Sequence, residues 1–164
     1  MGATDTDFSE MKKLAETLHV KADFSTPQMC RETAKALHIA CGLRASMFIV
    51  DKAEAFCEKK DRKLLILLSY EPSRVVEACE GKPRSDQDFV DFLREKRIRF
   101  VDTLAKHIED FKAFKISPRE YVARYYIGHY SPRGNHFFAF AIKDAIVDWL
   151  DPKPLAYRDG SETL

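Results

Sequence analysis

Apolar residues recur at helical spacing through Phe8, Met11, Leu14, Ala15 and Leu18, which predicts a first helix over about residues 9–19. Ser25-Thr26-Pro27 then supplies a hydroxyl able to cap a helix and a proline suited to its first turn. Met29, Thr33, Ala36, Leu37 and Ala40 carry this second helix to Gly42, a residue type that commonly closes one. A third helix is predicted over 43–60, with Leu43, Met47, Val50 and Phe56 on one face, although Met47-Phe48-Ile49-Val50 taken alone also reads as a strand. The pattern changes at 63–69, Lys-Leu-Leu-Ile-Leu-Leu-Ser. Apolarity there is continuous rather than alternating, as in an interior strand of a parallel sheet covered on both faces.

Val75, Val76 and Cys79 follow as a short helix that stops at Gly81, and Ser85 caps another whose stripe is Phe89, Phe92 and Leu93. A second buried strand is expected over 97–101, ending at Asp102. A helix to about Phe114 comes next, then a capped turn at Ser117-Pro118 and an aromatic stretch over 121–130. Ser131-Pro132 opens the last long helix, with Phe137, Ala141, Ile142, Ala145, Ile146 and Trp149 facing inward, and Asp151-Pro152-Lys153-Pro154 stops it.

Strands separated by helices predict an α/β chain, a short and mostly parallel sheet flanked by helices. Only two strands are clear, and two strands make a marginal sheet. Either the first 60 residues hide a third strand, or the sheet is completed elsewhere; in the second case a homodimer that covers the bare edge, or the aromatic cluster near Tyr125 and Tyr130, is expected. A length of 164 residues with 45% hydrophobic content fits one domain over 1–164, with 1–8 and 152–164 as flexible ends. Lys plus Arg is 27 against 26 for Asp plus Glu, which argues against nucleic acid as a partner. Apolar runs such as 64–68 are far shorter than the roughly 20 residues of a membrane span, so no membrane partner is expected. Residues 1–10 lack the apolar core of a signal peptide, which implies a cytoplasmic protein. Cys30, Cys41, Cys57 and Cys79 are too scattered for a zinc or redox pair, and are expected as buried free thiols.

Gly128-His129-Tyr130-Ser131-Pro132-Arg133-Gly134-Asn135-His136 is the segment richest in chemistry. His129 lies on the loop entering a serine-capped helix, a place where α/β proteins collect functional side chains. Its imidazole can take a proton from a hydroxyl and return it, or can simply bond a backbone carbonyl and order the turn. A buried strand, a capped helix, a second strand ending in Val101-Asp102, then this block and an Ala- and Phe-rich helix: the order resembles the C-terminal half of the SGNH, or GDSL-type, esterase–lipase superfamily. Over roughly residues 60–150, His129 matches that superfamily's catalytic histidine, Ser131-Pro132 the residues opening the helix, and Gly134 the small residue inside it. The resemblance implies an incomplete flavodoxin-like, three-layer α/β arrangement. It also implies hydrolysis of a small-molecule ester or acetyl ester with His129 as general base, without cofactor or metal.

Other expected blocks are missing. Tyr126 and Ile127 stand where an aspartate would orient the ring, Ser9, Ser25 and Ser46 lie in no G-D-S, and Gly42 opens no G-x-N-D. The nucleophile and oxyanion-hole groups are therefore not found in the chain. The chain then reads as part of a longer SGNH frame, as a degenerate relative, or as an unrelated non-catalytic α/β binding or scaffold module.

The remaining polar residues read more plainly. His129 and His136 would lie about 10 Å apart along a helix, too far to share a metal. His107 and Asp110, at i and i+3, are expected as a solvated pair, and His19 and His38 as partly buried, hydrogen-bonded residues. Asp102, at a strand end, is expected to cap the following helix rather than to serve a site. Tyr121, Tyr125, Tyr126 and Tyr130, beside Arg119, Arg124 and Arg133, either line a pocket or interface or cover the core with their hydroxyls wet.

Overall fold

A computed structural model describes residues 6–150 and 152–157. Of the ends expected to be flexible, 1–5 and 158–164 lie outside the described residues, as does Asp151 of the expected helix stop; Leu155–Tyr157 form one 3-10 turn. In chain order the elements are α1 (Ser9–Thr17), α2 (Pro27–Lys59), β1 (Ile66–Leu68), α3 (Pro72–Cys79), α4 (Gln87–Glu95), β2 (Phe100–Asp102), α5 (Thr103–Phe111), α6 (Pro118–Tyr125) and α7 (Pro132–Val147). The chain is mostly helical with a small parallel sheet, in the α/β class. It divides into two compact units, Met1–Leu64 with Asp86–Glu95, and Leu65–Ser85 with Lys96–Leu164.

The first unit is helical. The Thr26 hydroxyl accepts from the Met29 N–H at 3.2 Å and Pro27 occupies the first turn of α2, as the sequence predicts. α2 then runs through Gly42 without a break, so the separate helices before and after Gly42, and the strand reading of 47–50, are corrected. Gly42 closes a helix only in the left-handed conformation, and here it has no positive φ and lies inside α2. The closing turn comes instead at Asp61, with a φ of 51°, where the Asp61 and Arg62 N–H groups bond the Glu58 and Cys57 carbonyls. His19 closes α1 in the same way with a φ of 55°, and is exposed rather than partly buried; His38 is exposed on α2. α4 packs on α2 and buries Val90 and Leu93 completely. α2 leaves Phe48, Ile49 and Phe56 exposed, and among the described helices it alone has the length and mean hydropathy, 1.2 over 18 residues, of a membrane-crossing segment.

In the second unit β1 and β2 pair in parallel, Ile66 opposite Phe100 and Leu68 opposite Asp102. Both strands are three residues long, shorter than the expected 63–69 and 97–101. The two-faced cover expected for β1 is also corrected, because Leu67 is 39% exposed. The Thr103 hydroxyl donates to the Leu68 carbonyl at 2.6 Å and ties the start of α5 to β1. α3, α5, α6 and α7 pack together around Val75, Leu104, Tyr121, Val122, Tyr125 and Tyr126. On α7 the residues expected to face inward are only half-buried; Gly134 is the buried one. All four cysteines are free and half-buried.

Gly134 is where α7 meets the end of α6. A Cβ there would overlap the Tyr125 carbonyl oxygen and come within 2.7 Å of the Tyr130 ring, whereas one on Gly42 would meet nothing. The same change should therefore have opposite signs at the two sites. Gly134→Ala is expected to cost about 2–3 kcal/mol by overpacking against backbone. Gly42→Ala is expected to stabilise by up to about 1 kcal/mol through helix propensity. Urea denaturation of both variants checks this, and two losses of equal size would contradict it.

Candidate functional site

His129 is positioned by a tight reversal of the chain between α6 and α7. Ser117 and Glu120 form a reciprocal capping box that starts α6, with the Ser117 N–H donating to the Glu120 carboxylate at 2.8 Å. The helix ends at Tyr126 in extended backbone, and Tyr126 pairs with Tyr130 as an antiparallel bridge. Gly128, with a φ of 91°, turns the chain between them, and the Ile127 N–H donates to the His129 carbonyl at 2.7 Å. Ser131 then starts α7: its hydroxyl accepts from the Gly134 N–H at 3.2 Å, and its N–H donates to the Tyr125 carbonyl at 2.7 Å.

At the tip of this turn the His129 side chain is exposed, with Nδ1 2.9 Å from the Tyr130 carbonyl oxygen. A carbonyl only accepts, so Nδ1 carries the hydrogen and Nε2 of the neutral ring keeps its lone pair. The hydrogen bond to a backbone carbonyl that the sequence suggests is thus present. The turn is also anchored: the Tyr126 hydroxyl lies 3.3 Å from the Tyr70 carbonyl, just past the carboxyl end of β1.

A second constellation lies in the core of the same unit. His107 is fully buried, which corrects the expected solvated pair with Asp110. Its Nδ1 lies 3.0 Å from the Tyr121 hydroxyl, and its Nε2 lies 3.2 Å from that of Tyr126 and 3.3 Å from that of Tyr130. Tyr121 and Tyr125 both donate to Oδ2 of Asp110, at 3.0 and 2.8 Å. The proton order follows from these contacts. Tyr121 spends its hydrogen on Asp110, so it accepts from Nδ1–H of His107, and Nε2 accepts in turn from a tyrosine hydroxyl. One lone pair cannot serve two donors fully; Tyr126 has the Tyr70 carbonyl as its other acceptor, which leaves Tyr130 for Nε2. The tyrosine rings do cover the core, but their hydroxyls are bonded inside it rather than wet.

Burial holds His107 neutral, lowering its pKa from 6.5 to about 4 against a weaker opposing pull from the Asp110 charge. Burial, and then the hydrogen bond to Asp110, push the Tyr125 phenol up to about 12 and Tyr121 well above its ordinary value. Tyr126 is raised by burial and then by Tyr130. A signal for this cluster is present in the sequence: Leu104, His107 and Phe111, at i, i+3 and i+7, place His107 on the apolar stripe of α5.

Asp102 caps α5, accepting from the Leu104 N–H at 3.0 Å, and its other oxygen holds Arg84 at 2.6 Å. Arg84 also donates to the Tyr70 hydroxyl at 2.6 Å, so this carboxylate is engaged on both sides. An open groove of about 490 Å³ lies between α5 and α7, lined among others by Lys106, Asp110, Arg133, His136, Phe137 and Phe140. Among the described residues no group of three or more His, Cys, Asp or Glu side chains could hold a metal ion. Compared with known proteins, the chain matches no family model, and no curated protein or solved structure matches it significantly.

The depressed pKa of His107 has a signed consequence. The unfolded chain binds a proton at His107 below about 6.5, whereas the folded chain does so only below about 4, so stability present above pH 6.5 is lost as pH falls through that window. The loss should reach about 3 kcal/mol by pH 4. Urea denaturation at pH 7 and pH 4.5 measures it. His107→Gln should flatten the slope, and an unchanged slope in that variant would assign the loss to other groups.

Proposed function

We propose that this chain carries the general-base half of an ester-hydrolase site of the SGNH type, with His129 as the base. One observation supports this above the others: an exposed imidazole, held in its Nδ1–H form by the Tyr130 carbonyl, stands on a turn tied through Tyr126 to the carboxyl end of the parallel pair. Ligands of open α/β sheets bind beyond that end of the strands. The Tyr130 carbonyl takes the orienting place that the superfamily gives to an aspartate. Nε2 takes the proton of an attacking hydroxyl as its oxygen bonds to the ester carbonyl carbon, then returns it to the alcohol as the C–O bond breaks. The attacking hydroxyl is water in this chain alone; where a further segment supplies a serine, the first round leaves an acyl-serine, and water deprotonated by the same Nε2 then attacks it, releasing the acid as the serine takes the proton back. The substrate is a small-molecule ester or acetyl ester.

Hydrolysis of p-nitrophenyl acetate by the purified protein tests the base. Turnover above buffer is expected, lowered at least about ten-fold by His129→Ala and unchanged by His136→Ala, which removes another exposed imidazole. Absence of turnover, or equal losses in both variants, would favour the second reading, a non-catalytic binding module. The groove between α5 and α7 supports that reading, because it presents exposed Arg133 and His136 beside the rings of Phe137 and Phe140.

The flavodoxin-like, three-layer arrangement belongs to the same proposal, with β1 and β2 as neighbouring strands of a larger parallel sheet. Among the described residues no third strand joins them, and 47–50 is helical. Each strand therefore keeps an edge without a strand partner, and we propose a homodimer that covers it. Sedimentation at micromolar concentration should show twice the 18.9 kDa of one chain. A species of monomer mass would overturn the edge argument.

A further inference from the structure

We propose that His107 is a positioning residue for His129 and acts through Tyr130; the inference rests on the hydrolase reading of His129. Tyr130 belongs to both constellations. Its hydroxyl lies 3.3 Å from Nε2 of His107, and its carbonyl accepts from Nδ1–H of His129 at 2.9 Å. Its ring is held on several sides, stacked on Tyr126 with centroids 4.5 Å apart, parallel to His107 at 6.2 Å and against Phe138 at 5.5 Å. The missing side chain of Gly134 makes room for it. The peptide that carries the Tyr130 carbonyl is also held at its other end, where the Ser131 N–H donates to the Tyr125 carbonyl.

An apolar side chain at position 107 would fill the same space without the cost of burying two polar nitrogens. Imidazole differs in being bonded on both sides. Nδ1 is tied through Tyr121 to Asp110, and Nε2 receives Tyr130, so the aim of the Tyr130 carbonyl is set by α5 and α6 as well as by its own turn. A free imidazole exchanges its proton between the two nitrogens. The Tyr130 carbonyl, held still, confines that proton to Nδ1 of His129 and leaves Nε2 as the base.

The test reads the tautomer directly, from the ring-nitrogen chemical shifts of His129 in the ¹⁵N-labelled protein. The wild-type chain is expected to show a protonated Nδ1. Tyr130→Phe, which deletes only the hydroxyl bonded to His107, and His107→Gln should each return His129 to averaged tautomers, and should lower kcat toward p-nitrophenyl acetate about ten-fold with KM unchanged. Tyr125→Phe deletes a hydroxyl of the same cluster bonded to Asp110, and should destabilise the fold without changing the His129 signal. A His129 signal that stays fixed in Tyr130→Phe and His107→Gln overturns the inference, because the Ser131–Tyr125 bond then suffices. A wild-type His129 already averaged between tautomers overturns it too. Absence of ester turnover alongside the expected tautomer changes overturns the hydrolase reading alone, and leaves the relay from His107 to His129 supported.

Discussion

Taking an imidazole out of water costs free energy unless both ring nitrogens are bonded, and His107 meets that condition with side chains from separate segments. Tyr121 comes from α6, and Tyr126 and Tyr130 from the turn that follows it. Asp110, one turn along α5, draws the Tyr121 hydrogen away and so fixes which nitrogen of His107 donates. These hydroxyls must meet the ring at hydrogen-bond distance, which sets the rotation and height of α6 against α5. Phe137 stacks over the same ring with centroids 4.3 Å apart, which brings in α7. That approach needs a glycine at 134, where a Cβ would overlap the Tyr125 carbonyl. One buried neutral side chain thus constrains two helices, a turn and the entry to a third.

The sheet constrains less. Its two strands are three residues each, and one residue of β1 faces water. A side chain, the Thr103 hydroxyl on the Leu68 carbonyl, ties it to α5. Polar groups at its carboxyl end are spent on structure: Asp102 caps α5 and holds Arg84, and Arg84 holds the Tyr70 hydroxyl. On the turn that Tyr126 ties to the segment after β1, His129 stands exposed with the Nε2 lone pair to offer.

What could be read from the sequence was local. Thr26-Pro27, Asp102 and Ser131 each cap the helix they were expected to cap, because a cap is decided within four residues, whereas Ser117 was expected to cap only a turn and with Glu120 starts the helix α6. Gly42 misled because glycine permits a left-handed close without requiring one; the turn that closes α2 uses Asp61. The run over 63–69 misled because continuous apolarity reports burial potential and not the strands available to cover it. His107 was misread because its spacing to Asp110 suggests a surface ion pair, while its spacing to Leu104 and Phe111 places it on the buried stripe. The bonds that make its burial tolerable come from residues 14 to 23 positions later, beyond the reach of any local pattern.

On the SGNH-type reading proposed above, the absence of an aspartate before His129 follows from the same constraint. A carboxylate in that role fixes the tautomer of the ring and stabilises the imidazolium, through a charge-assisted bond about twice as strong as a neutral one. A carbonyl does the first and only part of the second. Position 126, three residues before His129, is one place for such a carboxylate, but Tyr126 is buried with its hydroxyl between Nε2 of His107 and the Tyr70 carbonyl. An aspartate there would remove the Tyr126 hydroxyl and place a charge among the buried rings of the core. The bond that anchors the turn to the end of β1 would go with it. The buried place of the Tyr126 side chain therefore takes position 126 out of the reach of His129, and on that reading orientation falls to the carbonyl of Tyr130.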